Sequence, residues 1–279
     1  MGEIQLTDIQ LRQMQLIQLE MLDEVDRICR KHDIKYSLDG GTLLGAVRHE
    51  GFIPWDDDID IIMTRSEYHR FYHVANEELD TERFFLQEYR TDPYYYVGYP
   101  RIRRKNTVYI RAGHEHMKYH GGVFIDIFVL DNVPDNEVMR VFHRLYCFIL
   151  RKILWSESGK YLHPNLIIRL LLSIVSTIPR EKTFHRIEAL ANHYNRKPTK
   201  LVRHLTHTYP RPKVCPYGIP SHLLNEYTVL TFEGRKYMAI KKYDEYLKLL
   251  YGDYMELPPI EKRRVHIHLS AFEPVRERE

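Results

Sequence analysis

Cysteine is scarce in this chain. Its three cysteines, Cys29, Cys147 and Cys215, lie far apart, and no two of them have the Cys-x-x-Cys spacing. An odd number of widely separated cysteines argues against a fold built on disulfides. Because few disulfides are typical of proteins in a reducing compartment, we expect a cytoplasmic location, at the inner face of the cell membrane if the protein contacts lipid.

A large excess of charge and a long hydrophobic segment are also missing. The 41 Lys and Arg residues and the 38 Asp and Glu residues leave a net charge of +3, which is too small to predict nucleic acid as a partner. The first residues lack a basic segment followed by an apolar one, so no signal peptide is predicted. The apolar run at residues 166–175 contains Arg169 and is too short to span a bilayer.

The overall composition fits a folded protein with a sizeable core, since 44% of the residues are hydrophobic and 28% are charged.

A capping box of Thr7 and Gln10 opens the first predicted helix. Hydrophobic periodicity then predicts an alternation of helices and strands. The predicted helices are residues 8–31, 42–48, 65–79 and 243–251, and the predicted strands lie at 34–38, 56–63, 84–111, 123–130 and 226–240.

The middle of the chain differs from the rest in charge. From Arg140 to Arg186 there are nine Lys or Arg and two Asp or Glu, a local balance of +7, so the remainder carries −4. Apolar runs with scattered basic residues predict a separate helical lobe. Its apolar run at residues 166–175 is expected to lie in a membrane interface or, alternatively, to pack in a core or a dimer contact. We expect a catalytic core (1–131), a basic, apolar helical lobe (132–225) and a C-terminal segment packing back on the core (226–279).

The strongest chemical signal is an acidic run, Asp-Asp-Asp-Ile-Asp, at residues 56–60. Side chains alternate along a strand, so Asp58 and Asp60 are expected on one face and Ile59 on the opposite, buried face. Two such carboxylates, about 7 Å apart, can bind hard cations between them. Asp126, alone in an apolar strand, is expected to join them. Clustered carboxylates on adjacent strands are typical of metal-assisted phosphoryl transfer.

A calcium-binding loop is an alternative interpretation of the same residues. Asp56, Asp58, Asp60 and Glu67 fall at the first, third, fifth and twelfth positions of an EF-hand loop. The sixth position of that loop requires glycine for its turn, and Ile61 stands there. The strand-like character of residues 59–63 also disfavours this alternative.

A known family has a similar signature. Residues 40–49 (Gly-Gly-Thr-Leu-Leu-Gly-Ala-Val-Arg-His) and 51–60 (Gly-Phe-Ile-Pro-Trp-Asp-Asp-Asp-Ile-Asp) resemble the LicD phosphotransferases. The fukutin-related ribitol-phosphate transferases carry a similar segment. Residues 124–128 and 251–253 also resemble the family, and the likeness extends over residues 5–131 and 228–268.

The resemblance implies an α/β (α+β) fold, with a nucleotidyltransferase-like (polymerase-β-like) mixed-sheet core and an added helical lobe. It implies that Gly40, Gly41 and Thr42 lie at the phosphates of a CDP-activated donor. The implied catalytic residues are Asp58, Asp60 and Asp126, and the implied ligands of Mg²⁺, or alternatively Mn²⁺, are Asp56, Asp58, Asp60 and Asp126. Arg48 is expected to bind the departing CMP or to form a salt bridge with the acidic run.

The reaction implied by the family is attack of a glycan hydroxyl on the donor phosphorus that bears the small alcohol, with CMP as the leaving group. The expected donor is CDP-choline, and the expected acceptor is a precursor of teichoic acid, lipopolysaccharide or capsule, which a lipid would carry. Two other functions remain open at this point. One is transfer from CDP-ribitol or CDP-glycerol, and the other is a nucleotidyltransferase reaction that releases pyrophosphate.

Aromatic residues bear on the choice of donor, because aromatic faces bind quaternary ammonium groups. Trp55 lies beside the acidic run, and tyrosines fall between the two acidic strands, so these rings are expected either to form a choline site or simply to pack on the sheet. The tyrosines are Tyr94, Tyr95, Tyr96 and Tyr99, and the same segment holds Arg101, Arg103 and Arg104. The arginines would repel choline if they faced the same cavity, or would bind phosphates.

Overall fold

The computed structural model describes residues 4–207, 217–265 and 268–275; Cys215 lies outside them. The helices are α1 (Asp8–Lys31), α2 (Gly40–His49), α3 (Arg65–Glu78), α4 (Glu137–Leu162), α5 (Leu166–Val175), α6 (Arg180–Tyr194) and α7 (Tyr243–Tyr251). The strands are β1 (Ser37–Leu38), β2 (Asp60–Thr64), β3 (Phe84–Gln87), β4 (Arg101–Arg104), β5 (Val108–Arg111), β6 (Phe124–Asn132), β7 (Leu201–Arg203), β8 (Ile219–Pro220), β9 (Tyr227–Phe232), β10 (Arg235–Ile240) and β11 (Leu269–Glu273).

The main sheet has the strand order β1-β2-β6-β4-β3, and β7 pairs with the end of β6 and with β8. Strands β2 and β6 are parallel, and the other neighbours are antiparallel. Eight of the nine residues of β6 are buried, as expected for a central strand covered on both faces. The sheet is therefore mixed, as the resemblance in sequence implies.

Helix α1 begins and packs as predicted. The Gln10 backbone N–H donates to Thr7 Oγ1 at 3.2 Å, and the Thr7 N–H donates to Gln10 Oε1 at 3.0 Å, which completes the capping box. One face of the helix is apolar and packs on β4 and β6. Two polar residues, Gln15 and Gln18, are also buried on this helix, so their side-chain amides need partners in the interior.

Further groups of elements pack around the main sheet. Strands β5 and β11 form an antiparallel pair. Strands β9 and β10 form a hairpin that reaches the core where the Ile240 N–H donates to Ser37 Oγ at 2.9 Å. Helices α4 and α6 enclose a second apolar cluster that includes Leu150, Phe184 and Ile187. Within the described ranges, no helix combines the length and the apolar content that crossing a bilayer requires.

Three predicted elements differ in extent from those of the structure. The strand predicted at 34–38 is confined to Ser37–Leu38. The strand predicted at 56–63 begins only at Asp60, because the Asp56 and Asp57 carbonyls accept hydrogen bonds from glutamine side chains of α1 instead of joining a strand ladder. The glycine pair predicted as a turn before a helix is itself the first turn of α2, and Gly40 there has φ of 49°.

Candidate active site

Three neighbouring strands carry a row of charged side chains. Asp60 on β2 is the direct partner of Asp126 on β6, and Asp126 is the direct partner of Arg101 on β4. Directly paired residues on adjacent strands place their side chains on the same face of the sheet. The strand register therefore brings together two carboxylates and a guanidinium that lie far apart in the sequence.

Arg101 and Asp126 form a buried ion pair. Arg101 Nε donates to Asp126 Oδ1 at 2.5 Å, and the side chains are 5% and 6% exposed. A charge-assisted pair in the interior has a fixed geometry, because separating its members would leave a buried charge uncompensated. The carboxylate of Asp126 is thus held in one orientation beside Asp60.

The acidic residues before β2 form a loop that α1 holds in place. Gln15 Nε2 donates to the Asp56 carbonyl at 2.9 Å, and Gln18 Nε2 donates to the Asp57 carbonyl at 2.9 Å. Carboxylate oxygens of Asp56, Asp57 and Asp58 all lie within 4.8 Å of one another. Three oxygens at this spacing can contact a single hard cation.

The first turn of α2 touches the same carboxylates. A Cβ atom placed on Gly41 would lie 2.5 Å from Asp56 Oδ2, so a residue other than glycine would displace that carboxylate. The Asp60 N–H donates to Thr42 Oγ1 at 2.9 Å, and the Asp39 N–H donates to the Asp60 carbonyl at 2.9 Å. The amino end of a helix, which favours phosphate groups, therefore adjoins the acidic cluster.

Burial and mutual repulsion raise the pKa of the clustered carboxyl groups. Burial, followed by the charge of Asp58, holds the pKa of Asp56 well above its usual value. The pKa of Asp60 is also well above its usual value, because of burial and then the charges of Asp58 and Asp126. Burial is the main cause that raises the pKa of Asp58 to about 7. The charged state of this cluster is therefore unfavourable unless a cation neutralises it.

The residues fit a divalent cation. Asp60 Oδ1 is buried and has no hydrogen-bond partner among the residues that the structure describes. An unpaired, buried carboxylate oxygen is costly, and a bound cation would remove that cost. Oxygen-only ligand sets suit Mg²⁺ or Mn²⁺ better than they suit softer metals.

Comparison with known proteins identifies the family. Residues 33–147 match the family model described as LicD/FKTN/FKRP, nucleotidyltransferase domain. The chain is 31% identical over 271 residues to the lipopolysaccharide cholinephosphotransferase LicD of Haemophilus influenzae, and the alignment covers 94% of this chain and 97% of that protein. The chain belongs to the LicD family. Uncharacterised proteins of Rickettsia prowazekii and Rickettsia typhi are 49% identical over 51 residues, which is 18% of this chain and 19% and 16% of those proteins.

Membership of the LicD family and the mixed sheet together confirm the predicted nucleotidyltransferase-like fold. They also confirm that the chain is a transferase enzyme. The roles assigned to individual residues remain predictions, and the geometry shows which of those residues lie together.

Two residues predicted for substrate binding lie at the edge of the LicD-family site. Arg48 donates to the Tyr254 carbonyl at 2.7 Å and forms no ion pair with the acidic run within the described part of the chain. Trp55 is half-buried, and the guanidinium carbon of Arg263 lies 5.7 Å from its ring centre. Trp55 does not border the cavity that Tyr94 and Tyr96 line.

The predicted tyrosines separate into different environments. Tyr94 is exposed and Tyr96 is buried, and both border a cavity of about 400 Å³ that also contacts α4. The Tyr96 hydroxyl lies 3.0 Å from His114 Nδ1. Tyr95 is fully buried, and its hydroxyl donates to the Tyr99 carbonyl at 2.8 Å. The structure therefore does not gather these rings and Trp55 around one site.

The arginines of β4 also separate. Only Arg101 reaches the acidic row. Arg103 Nε donates to Gln87 Oε1 at 2.6 Å, and Arg104 Nε donates to Glu20 Oε2 at 3.2 Å. Arg103 lies on the same face of β4 as Arg101, since both guanidinium groups contact the Phe124 ring, whereas Arg104 lies on the opposite face. Both Arg103 and Arg104 therefore stabilise the fold through partners outside the acidic row.

Sequence reasoning missed three features of this site. Asp57 is a member of the carboxylate cluster, although the acidic run itself contained that signal. Arg111 lies close enough to lower the pKa of Asp58, and nothing in its local sequence indicates this. Tyr251 borders a cavity of about 120 Å³ beside Gly41 and Asp60; the family-like segment 251–253 was the available signal.

Proposed function

We propose that this LicD-family enzyme transfers phosphocholine from CDP-choline to a hydroxyl of a cell-surface glycan and releases CMP. The observation that carries the proposal is the similarity to a lipopolysaccharide cholinephosphotransferase over nearly the whole of both chains. The acceptor class is a precursor of lipopolysaccharide, teichoic acid or capsule. The clustered carboxylates and the adjoining helix terminus supply the groups that phosphoryl transfer needs.

Asp56, Asp58 and Asp60 would hold Mg²⁺. Asp57 forms the carboxylate cluster with Asp56 and Asp58 and is near enough to share the ion, and Asp60, which lies outside that cluster, would contribute its unpaired Oδ1. The bound ion would neutralise charge on the donor phosphates. Asp126 is proposed either as a further ligand or as the group that orients the attacking hydroxyl and accepts its proton. Its fixed orientation through Arg101 suits both roles.

The cavity of about 120 Å³ beside Asp60 is proposed as the donor-alcohol site. Gly40 and Gly41 are among its lining residues, so the amino end of α2 would face the donor phosphates. Aromatic and acidic side chains line its interior, including Tyr246, Tyr251 and Asp39, and among the described lining residues there is no Lys or Arg. Such a lining favours a quaternary ammonium group, which aromatic faces and carboxylates attract.

A polyol phosphate would fit this cavity less well. Ribitol and glycerol carry several hydroxyls that need paired hydrogen-bond donors and acceptors. The Tyr246 hydroxyl already donates to Asp39. The lining also includes the apolar residues Ile62, Phe128, Leu130 and Leu250 and the imidazoles of His204 and His207. This environment supports CDP-choline over CDP-ribitol and CDP-glycerol as the donor.

The outer faces of α4 and α5 support a peripheral membrane contact, and with it a lipid-linked acceptor. Exposed apolar side chains on these helices include Val138, Met139, Val141, Phe142, Leu145, Phe148, Ile149, Leu166, Ile167, Leu170, Leu171 and Ile174. Basic residues lie among them; Lys152 Nζ, for example, is 5.6 Å from the Phe148 ring centre. Apolar surface edged with basic charge suits the interface of an anionic bilayer. The reaction is accordingly proposed at the cytoplasmic face of the cell membrane.

The decisive experiment supplies the purified protein with Mg²⁺, a lipid-linked glycan acceptor and, in parallel, CDP-choline, CDP-ribitol or CDP-glycerol. Release of CMP only from CDP-choline, with phosphocholine appearing on the glycan, is the expected result. Turnover of a polyol donor with CDP-choline inert would overturn the choline assignment. Release of pyrophosphate from CTP, without CMP from any CDP-alcohol, would instead indicate a nucleotidyltransferase.

A further inference from the structure

A separate cavity of about 270 Å³ lies on the β4 side of the charged row. Three arginines line it, Arg101, Arg111 and Arg151, together with Tyr96, Tyr99, Tyr119 and Trp155. Within the described part of the chain, no Asp or Glu is among its lining residues. The cavity shares no lining residue with the proposed donor-alcohol site beside Asp60.

The positive charge of this cavity is only partly compensated. Arg101 is paired with Asp126, whereas Arg111 and Arg151 have no carboxylate within 4.0 Å among the described residues. Arg111 Nε is buried and has no hydrogen-bond partner in that same part of the structure. Arg111 acts on Asp58 at a longer range than an ion pair, since it lowers the pKa of that carboxyl group. Gathered guanidinium groups repel one another, and an anion bound among them would reduce that cost.

None of the described groups that line the cavity supplies that anion. His114 is a lining residue, and burial lowers its pKa to about 4, so it is neutral at pH 7. The remaining polar groups include the hydroxyls of Ser158 and Thr206, which can donate to an anion but carry no charge. Guanidinium groups match the oxygens of phosphate in pairs of parallel hydrogen bonds.

We propose that this cavity binds a phosphate group of a substrate, with Arg111 and Arg151 as its ligands. The proposal rests on the proposed function for the identity of that substrate. Arg101 joins the cavity to Asp126, so the phosphate would lie next to the reacting centre. Two sources have this chemistry: the CMP part of the donor, whose base would stack on the aromatic walls, and a phosphate carried by the glycan acceptor.

The test uses Arg111→Gln and Arg151→Gln, with Arg186→Gln on the exposed face of α6 as the matched control. Binding of inorganic phosphate and of CMP is measured by calorimetry, and KM is measured separately for CDP-choline and for the acceptor. The cavity variants are expected to weaken phosphate binding about tenfold or more, as the loss of a charged hydrogen bond implies. Arg151→Lys should restore part of the binding, because it retains the charge.

The two sources give different patterns. Weaker CMP binding with a raised KM for CDP-choline assigns the cavity to the donor, whereas a raised KM for the acceptor alone assigns it to the acceptor. Unchanged phosphate binding and unchanged KM values in Arg151→Gln, which lies on the half-buried rim, would overturn the proposal even if Arg111→Gln failed to fold. If the protein binds phosphate in this cavity but does not use CDP-choline, the proposed function is refuted and the phosphate site is retained.

Discussion

Gly41 on α2 lies against Asp56 in the acidic loop so closely that a methyl group on its α-carbon would be 2.5 Å from Asp56 Oδ2. Alanine normally stabilises a helix relative to glycine. Here it must push a proposed metal ligand away from its neighbours, so we expect Gly41→Ala to lower kcat about tenfold or more and to weaken Mg²⁺ binding. The control is Gly121→Ala, whose new methyl would have ordinary contacts, the nearest at 3.7 Å. Wild-type activity in Gly41→Ala would contradict this view of the site.

The second prediction concerns the carboxylates themselves. Asp58→Asn and Asp60→Asn remove a charged ligand and keep the side-chain volume, so turnover should fall about 100-fold or more. Without metal, the same variants should unfold at equal or higher urea concentration, because one source of repulsion is gone. Asp8→Asn, at the exposed start of α1, serves as control. Either variant turning over at near the control rate would remove that residue from the metal site.

The pH dependence of stability follows from the raised pKa of Asp58. Its pKa is about 7 in the folded protein against 3.8 for the ordinary group, so between these values the folded state binds more protons than the unfolded state. Stability of the metal-free protein should therefore rise as the pH falls from about 7 to about 5. Urea unfolding at several pH values in EDTA measures this slope.

Saturating Mg²⁺ should flatten the same slope, because the ion stabilises the ionised carboxylates. Asp58→Asn in EDTA should flatten it too. If the stability of the metal-free wild-type protein did not change over this pH range, burial and repulsion would not raise the pKa of these carboxyl groups.

The buried pair of Arg101 and Asp126 yields a fourth prediction. Arg101→Met leaves a buried carboxylate beside other acids, so the free energy of unfolding should fall by about 3–5 kcal/mol. The matched variant Arg83→Met breaks an ion pair with Glu20 that is 46% and 38% exposed, and should cost less than about 1 kcal/mol. Equal effects in urea unfolding would argue against a special role for the Arg101 pair.

The membrane contact is tested on the exposed helices. Phe148→Ser on α4 and Leu171→Ser on α5 should reduce co-sedimentation with anionic vesicles, and high salt should reduce it further. Ile9→Ser removes an apolar side chain from α1 that is even more exposed than Phe148 and Leu171 and should have no effect. If the wild-type protein does not sediment with vesicles at low salt but forms dimers that these variants dissociate, the face is a dimer contact instead.

The sequence by itself determined the features that depend on neighbours along the chain. The Thr7 and Gln10 capping box and the apolar periodicity of α1 are local, and the structure has both. The apolar run at residues 123–130 marked a buried central strand, and its single acid, Asp126, marked a buried charge with a functional role to explain. These signals suffice because helix caps and hydrophobic periodicity act over a few residues.

Only the tertiary structure decided which distant residues meet. Arg101 and Arg103 lie two residues apart on β4, yet one pairs with Asp126 and the other with Gln87, because strand register places one of them opposite Asp126. Register depends on how whole strands and helices pack, and a shift of one residue would turn every side chain to the other face. For the same reason, Arg111 lines the arginine-rich cavity, although nothing in its local sequence predicted this. Trp55 was predicted to bind substrate from its position beside the acidic run, yet it does not line the cavity of Tyr94 and Tyr96.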